Sequence, residues 1–438
     1  MRLPRLAAAL FLAAPAFAQY AGPAILSRGE APSAMNVPQL DFIPFLSLLG
    51  VYDTGLAAVS VNSQGQLANV DSAGVEADFG ISGVHSWSHT KISLNYAGAA
   101  RDYTQATYYD GIDQSLMLSI IHQFSRHVTL TLSENAGEFS YTYGLAGLYP
   151  TVSFDPSTTY TPNTDFFDNR TIYAYTRALL TYQRNARLSF SFGGDGDLTR
   201  RRSSALYGVT GEDATGDVQY RVSRRTTIGA NYQFTTFSYT GLFSNSNMNR
   251  FSGTYAAQLS RTWEFTGYAG ITREENKFPQ AVPVSPVIQA LLGITQAEVV
   301  FHAVNWLPTY SGRLSKTLTH GVAFISGGRT VTPGNGLFLT SNMYSGQAGY
   351  TYTGIRRWGF SFSGGYDRSE SIGNVIGEYA DSSAGLQITR QISHVVHAAG
   401  GITARRYQSS SYAAYNRPMW DARIGLTFSP RDIPLRIW

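Results

Sequence analysis

The eight histidines are the first candidates for chemistry in this 438-residue chain. Acyl transfer would need one of them beside a serine and an acid. A metal site would need several ligands converging on one point. Seven of the eight (His85, His89, His122, His127, His320, His394 and His397) fall at or near short turns, and only His302 lies in a long connection. An amphipathic ring at a turn suits anchoring at a membrane surface, with its apolar body inward and its polar tip wet. His394 and His397 are three apart, a spacing that points them to opposite faces of a strand. The run Gly193-Gly194-Asp195-Gly196-Asp197 has the start of a calcium loop without the remaining oxygen ligands at the required spacing. Neither a G-x-S-x-G elbow nor a P-loop occurs. With no Cys, thiol nucleophiles, disulfides and Cys-ligated metal are excluded. The expectation is a protein that is not an enzyme, with no catalytic residues, no metal and no cofactor.

The elements that would carry these residues are announced by composition. Charged residues make up 14% of the chain and aromatics 13%, with 43 Gly. Ordinary soluble domains carry about 25% charged residues. Arg2 and Arg5, followed by apolar Leu6 to Ala14 and then Ala16-Phe17-Ala18, read as a signal peptide over 1–18, cleaved to leave Gln19. Without those two arginines the balance is 31 basic against 29 acidic residues, which is no nucleic-acid footprint. No later stretch offers the roughly 20 apolar residues of a membrane helix.

From about residue 42 the pattern has period 2, the strand period. Leu188, Phe190 and Phe192 alternate with Ser189, Ser191 and Gly193. Ile228 to Phe234, Phe251 to Leu259, Trp358 to Tyr366 and Trp420 to Phe428 behave alike: one face apolar and aromatic, the other small and polar. Eighteen such segments can be marked, among them 42–52, 73–83, 187–197, 263–273, 306–315, 357–367 and 418–428, and 16 is the lower count. Most run roughly 10–13 residues, against about 9–11 for a tilted membrane strand. Connections alternate between short basic turns (Arg224-Arg225, Arg356-Arg357) and long loops (Phe139 to Asn169, Glu274 to Asn305, Arg405 to Arg417). That is the layout of a transmembrane antiparallel up-and-down β-barrel, all-β, with short turns in the periplasm and long loops outside. An even count puts both termini on the short-turn side. The expected division is a signal peptide (1–18), a periplasmic or lumenal segment (19–41), the barrel (42–428) and a tail (429–438).

The closing strand carries Trp420, Ile424, Leu426 and Phe428 on one face, and the chain ends in Trp438. This resembles the last strand of bacterial outer-membrane β-barrel proteins, and the whole layout is similar to the putative β-barrel porin families. The resemblance implies outer-membrane localisation, contact with outer-membrane lipid, and recognition by the barrel insertion machinery through Phe428 or Trp438. It supplies no catalytic residue.

With the small-polar face inward, Lys91, Arg177, Asp195, Arg250, Glu264, Asp421 and Arg423 become lumen-lining candidates of both signs. Pro286, Ile288, Leu291 and Leu292 in the longest loop suggest a short helix with proline at its first position, either folded in as a constriction or packed as a cap. Tyr108-Tyr109 and Tyr141 to Tyr149 could stack on sugars or pack the loops together. The function expected is a porin-like channel for passive diffusion of small hydrophilic solutes, weakly ion-selective. The alternatives are an outer-membrane component of exopolysaccharide export or envelope assembly, with polysaccharide as partner, and a structural barrel with a closed lumen. Oligomeric state is left open.

Overall fold

The computed structural model describes residues 40–61, 67–105, 110–139, 170–202, 206–242, 244–334, 339–372, 377–409, 416 and 418–429. The signal peptide, the 19–41 segment up to residue 39, Tyr108-Tyr109, Tyr141 to Tyr149 and Trp438 lie outside the described residues.

The strands are β1 (Leu40–Val61), β2 (Leu67–Ser86), β3 (Thr90–Tyr103), β4 (Gly111–Ser125), β5 (Val128–Phe139), β6 (Thr171–Gln183), β7 (Leu188–Arg201), β8 (Val209–Arg221) and β9 (Thr226–Tyr239). They continue as β10 (Asn245–Gln258), β11 (Trp263–Pro283), β12 (Gln296–Leu318), β13 (Gly321–Thr332), β14 (Ser341–Tyr352), β15 (Trp358–Ser371), β16 (Glu378–Gln391), β17 (Val396–Ser409) and β18 (Pro418–Phe428). One short helix, α1 (Pro286–Leu292), joins β11 to β12. Each strand pairs antiparallel with its sequence neighbours, and β1 also pairs with β18. The 18-stranded sheet therefore closes on itself and has no free edge along its main ladder. Leu46, early in β1, lies opposite Phe428 at the end of β18, so both ends of the barrel emerge on the short-turn side.

The period-2 pattern becomes two faces. Outward stand Leu46, Leu48, Phe192, Phe251, Phe362, Ile402, Ile424 and Leu426, all exposed. Inward stand Ser47, Asp78, Ser93, Asn135, Ser191, Asn231, Ser252 and Thr427, all buried. Across the ladder like meets like: Phe251 lies between Tyr232 and Ile271, and Ser252 between Asn231 and Gly270. A lipid-facing side chain loses nothing by being apolar, and an inward one keeps water or polar partners.

The short turns are built by side-chain caps. Ser223 Oγ accepts from Arg225 N at 3.1 Å, Ser393 Oγ from Val396 N at 3.1 Å, and Asn185 Oδ1 from Leu188 N at 2.9 Å. Beside them sits an aromatic girdle. Trp358 stacks on Phe360 at 5.9 Å, with Arg390 over Trp358 at 5.0 Å. Lys316 lies over Trp263 at 4.8 Å. Two turn histidines belong to this ring: His85 meets Trp87 edge-on at 4.3 Å and His122 meets Phe124 at 4.7 Å; His127 instead has Nδ1 2.7 Å from the Gln183 carbonyl, and His397 faces inward opposite Thr427. A closed barrel with an apolar outer belt and aromatic girdles is the outer-membrane form, and this chain is an outer-membrane β-barrel.

Two hairpins run far beyond the expected strand ends. β1 and β2 have 22 and 20 residues, β11 and β12 have 21 and 23. Past Lys277 the strand β11 has lost its β10 partner and pairs only with β12. Such a two-stranded ribbon is solvated on both faces, so its sequence loses the alternation that marks the wall. The missing neighbour also explains how Pro279 and Pro283 fit: proline is tolerated where its absent N–H faces an open edge.

Candidate functional site

The inward face of the wall is the chemically loaded surface. By ladder register it carries the carboxylates of Asp53 on β1, Glu76 and Asp78 on β2, Asp113 on β4, Asp195 and Asp197 on β7, and Asp213 and Asp217 on β8. To these it adds Glu264 and Glu274 on β11, Asp367 on β15, Asp381 on β16 and Asp421 on β18. The inward cations are Lys91 and Arg101 on β3, Arg177 on β6, Arg201 on β7, Arg221 on β8, Arg250 on β10, Arg313 on β12, Arg405 on β17 and Arg423 on β18. Thirteen carboxylates thus face nine cations, an excess of four negative charges among the described inward strand residues.

These charges gather on two arcs of the wall. On the arc from β16 to β4, Arg101 is buried between Glu76 and Asp113, the latter 2.6 Å away. Arg423 reaches Glu76 at 3.1 Å and Asp421 at 3.0 Å. Glu76 therefore ties β3 to β18 across the closing seam. On β16 and β17, Arg405 grips Asp381 with Nε at 2.8 Å from both oxygens. On the arc from β6 to β10, Arg177 lies opposite Asp195 and Asp195 opposite Asp213. Asp213 accepts from Thr235 Oγ1 at 2.6 Å and from Gln233, whose own oxygen accepts from Arg250. Arg250 also rests over the Tyr268 ring at 5.1 Å.

The seven sequence candidates divide accordingly. All of them face inward. Arg177, Asp195 and Arg250 belong to the β6–β10 network, and Asp421 and Arg423 to the seam cluster. Lys91 and Glu264 sit at the short-turn end, Lys91 opposite Ser86 and Glu264 opposite Gln258, away from both. Missed by the sequence reading were Glu76, Arg101, Asp113, Asp213, Asp381 and Arg405. The same alternation locates most of them on the inner face. Their association depends on register across strands far apart in the chain.

The outer mouth is shaped by a different segment from the one expected. Glu274 to Asn305 does not fold inward. Its two arms stay paired from Glu274 opposite Asn305 to Pro283 opposite Gln296. Helix α1 stands at the tip with no buried residue; Ile288 is 40% exposed, Leu291 76% and Leu292 68%. Pro286 opens the helix, and Gly293 closes it at φ 67°, a left-handed cap that glycine adopts without strain. Pro286, Ile288, Leu291 and Leu292 thus stand at the tip of a paired ribbon and do not pack as a cap on neighbouring described loops.

The β13–β14 connection turns inward instead. Leu339 is buried with Val209, Phe237, Tyr239 and Met248 from the inner face of β8–β10. The Tyr239 hydroxyl lies 2.7 Å from Thr340 Oγ1 and donates to the Pro333 carbonyl at 3.3 Å. Ser246 bonds Thr340 and donates to Asn276 Oδ1 at 2.9 Å, while Asn276 Nδ2 donates to the Ile372 carbonyl at 2.9 Å. Two connections, after β13 and after β15, are thereby drawn against the inner wall of β9–β11. Beneath this contact Glu274 is fully buried; its Oε2 accepts from Asn305 at 2.8 Å.

No family model matches the chain, and no curated protein matches it in sequence. Among solved structures, OpdK of Pseudomonas aeruginosa, crystallised with vanillate, is similar over 89% of this chain and 98% of its own, at 10% identity and a TM-score of 0.40. A BenF-like porin of Pseudomonas fluorescens shows the same coverage and identity with a TM-score of 0.44. OccAB1 of Acinetobacter baumannii covers 92% of this chain and 99% of its own, at 11% identity and a TM-score of 0.40. At that level of identity and superposition no residue's role is carried over from them.

Proposed function

We propose that the chain is an outer-membrane channel through which small hydrophilic solutes diffuse passively. The observation that carries this reading is the closed 18-stranded wall with its apolar side outward and its polar, charged side inward. Barrels of 16–18 strands enclose more space than their own side chains fill and leave an aqueous channel. A lining of Ser, Thr, Asn, Gln and paired charges favours water in that space. The described ends of the two inward-drawn connections rest on the inner wall of β9–β11, which supports a mouth that favours small solutes over large ones. Discrete single-channel steps from purified protein in planar bilayers are the expected result, together with swelling of protein-loaded liposomes in small sugars but not in large oligosaccharides. Silence in both assays refutes the channel and favours a structural barrel. Passage of long polysaccharide would move the export reading ahead.

A further inference from the structure

Resting on the channel reading, we propose that the pore selects for positively charged solutes: inorganic cations and small protonated amines pass in preference to anions of the same size. Two independent features carry this. The first is the excess of four negative charges on the inner wall. The second is where like charges meet. Three pairs of carboxylates stand directly opposite each other across neighbouring strands: Asp195 with Asp213, Asp367 with Asp381, and Asp53 with Asp421. No two inward cations stand opposite each other in the same ladder. Directly opposed like charges destabilise a sheet. Each pair has one cation beside it, Arg177 opposite Asp195, Arg405 on Asp381 and Arg423 on Asp421, so at all three places two carboxylates share a single positive partner.

Local compensation is uneven in the same sense. Arg101, Arg405 and Arg423 are each in contact with carboxylates, so their charge is neutralised at short range. By contrast, Asp213 is held by the neutral donors Thr235 and Gln233, and Glu274 by Asn305. Neither makes an ion pair among the described residues. Glu274 lies buried beneath the inward-drawn connections, so it acts on an entering anion through its field and not by contact.

The test is the reversal potential of the wild-type channel under a salt gradient, with symmetrical pH. A lining of one charge sign enriches its counter-ions by about tenfold or more; with both signs present and carboxylates in excess, the expected cation-to-anion permeability ratio lies above unity and below about ten near 0.1 M salt. It falls toward unity at 1 M, where screening shortens to about 3 Å. Asp213→Asn combined with Glu274→Gln halves the excess and lowers the ratio. Arg313→Gln, which removes an inward cation lying over Phe324 at 4.2 Å, raises it. A general distortion of the wall would move both variants the same way. An anion preference in wild type, or equal shifts in the two variants, overturns the inference while leaving the channel intact. A silent wild type overturns the channel reading itself.

Discussion

The facing of the wall can be tested at one pair of adjacent residues. Phe362 on β15 points outward, 53% exposed, opposite Tyr350 and Leu386. Ser363 points inward, opposite Gly349 and Gly385, where there is room for a larger side chain. Phe362 lies four residues above Trp358 in the lower girdle and four below Tyr366. At about 3.4 Å per residue and a tilt near 40°, those eight residues span roughly 21 Å of membrane normal. That is close to the apolar band of about 25 Å, so Phe362 sits near the bilayer midplane. Arginine facing lipid at that depth costs about 2–4 kcal/mol. Arginine at 363 enters a wet lumen and should cost less than about 1 kcal/mol. The expected gap of about 2 kcal/mol corresponds to roughly a 30-fold difference in the folded-to-unfolded ratio. Reversible denaturant titration in lipid vesicles measures both variants against wild type. If Ser363→Arg costs as much as Phe362→Arg, the inward and outward faces are misassigned.

Three further outcomes follow from the geometry. Deleting Pro286 to Leu292 should leave single-channel conductance as it is, because α1 buries no residue against the barrel, whereas shortening the 333–340 connection should raise conductance; the opposite pair of results would favour the longest loop as the constriction. Arg101→Met leaves Glu76 and Asp113 buried without their shared cation and should cost about 3–5 kcal/mol, read as a shift in the refolding midpoint; a loss under 1 kcal/mol would mean the cluster is hydrated. Chymotrypsin added to intact cells should cut near the exposed Leu291 and Leu292, while trypsin should spare Arg224-Arg225 and Arg356-Arg357; cleavage at those turns would invert the topology.

The wall was legible in the sequence because the bilayer enforces it. A residue such as Phe192 or Leu426 has lipid on one side, and Ser191 or Thr427 has polar partners on the other, so a period of 2 is written into every spanning segment. The turns were legible for a local reason, since Ser223 and Asn185 cap their own neighbours. Where neither constraint acts, the reading stopped early. Beyond Lys277 nothing apolar covers either face of the β11–β12 ribbon, and a strand that alternates nothing looks like a loop. The charged clusters were half visible: alternation puts Arg423 and Glu76 inside, but a sequence separation of 347 leaves no sign that they meet at 3.1 Å.

An apolar loop segment does not by itself imply cover. The Pro286–Leu292 segment carries four large aliphatics, Val287, Ile288, Leu291 and Leu292, and none of them is buried, while the arms beneath it stay paired from Glu274 opposite Asn305 to Pro283 opposite Gln296. Among the described residues of the 333–340 connection Leu339 is buried, and it reaches the inner wall. What decides is the reach of the strands on either side. β13 and β14 pair only from Gly321 to Thr332 and from Ser341 to Tyr352, so their connection starts near the rim and is free to turn. Tyr239 and Ser246 then present hydroxyl groups that meet the Pro333 carbonyl and Thr340, while Asn276 holds Ser246 and the Ile372 carbonyl of the next connection. A loop that leaves its strands low must find polar partners inside the mouth, and Tyr239 and Ser246 supply them. Replacing Tyr239 by Phe and Ser246 by Ala removes both anchors of Thr340 while keeping Leu339 packed. Such a channel should conduct with frequent brief openings above the wild-type level, and a trace as steady as wild type would show that Leu339 alone holds the connection in place.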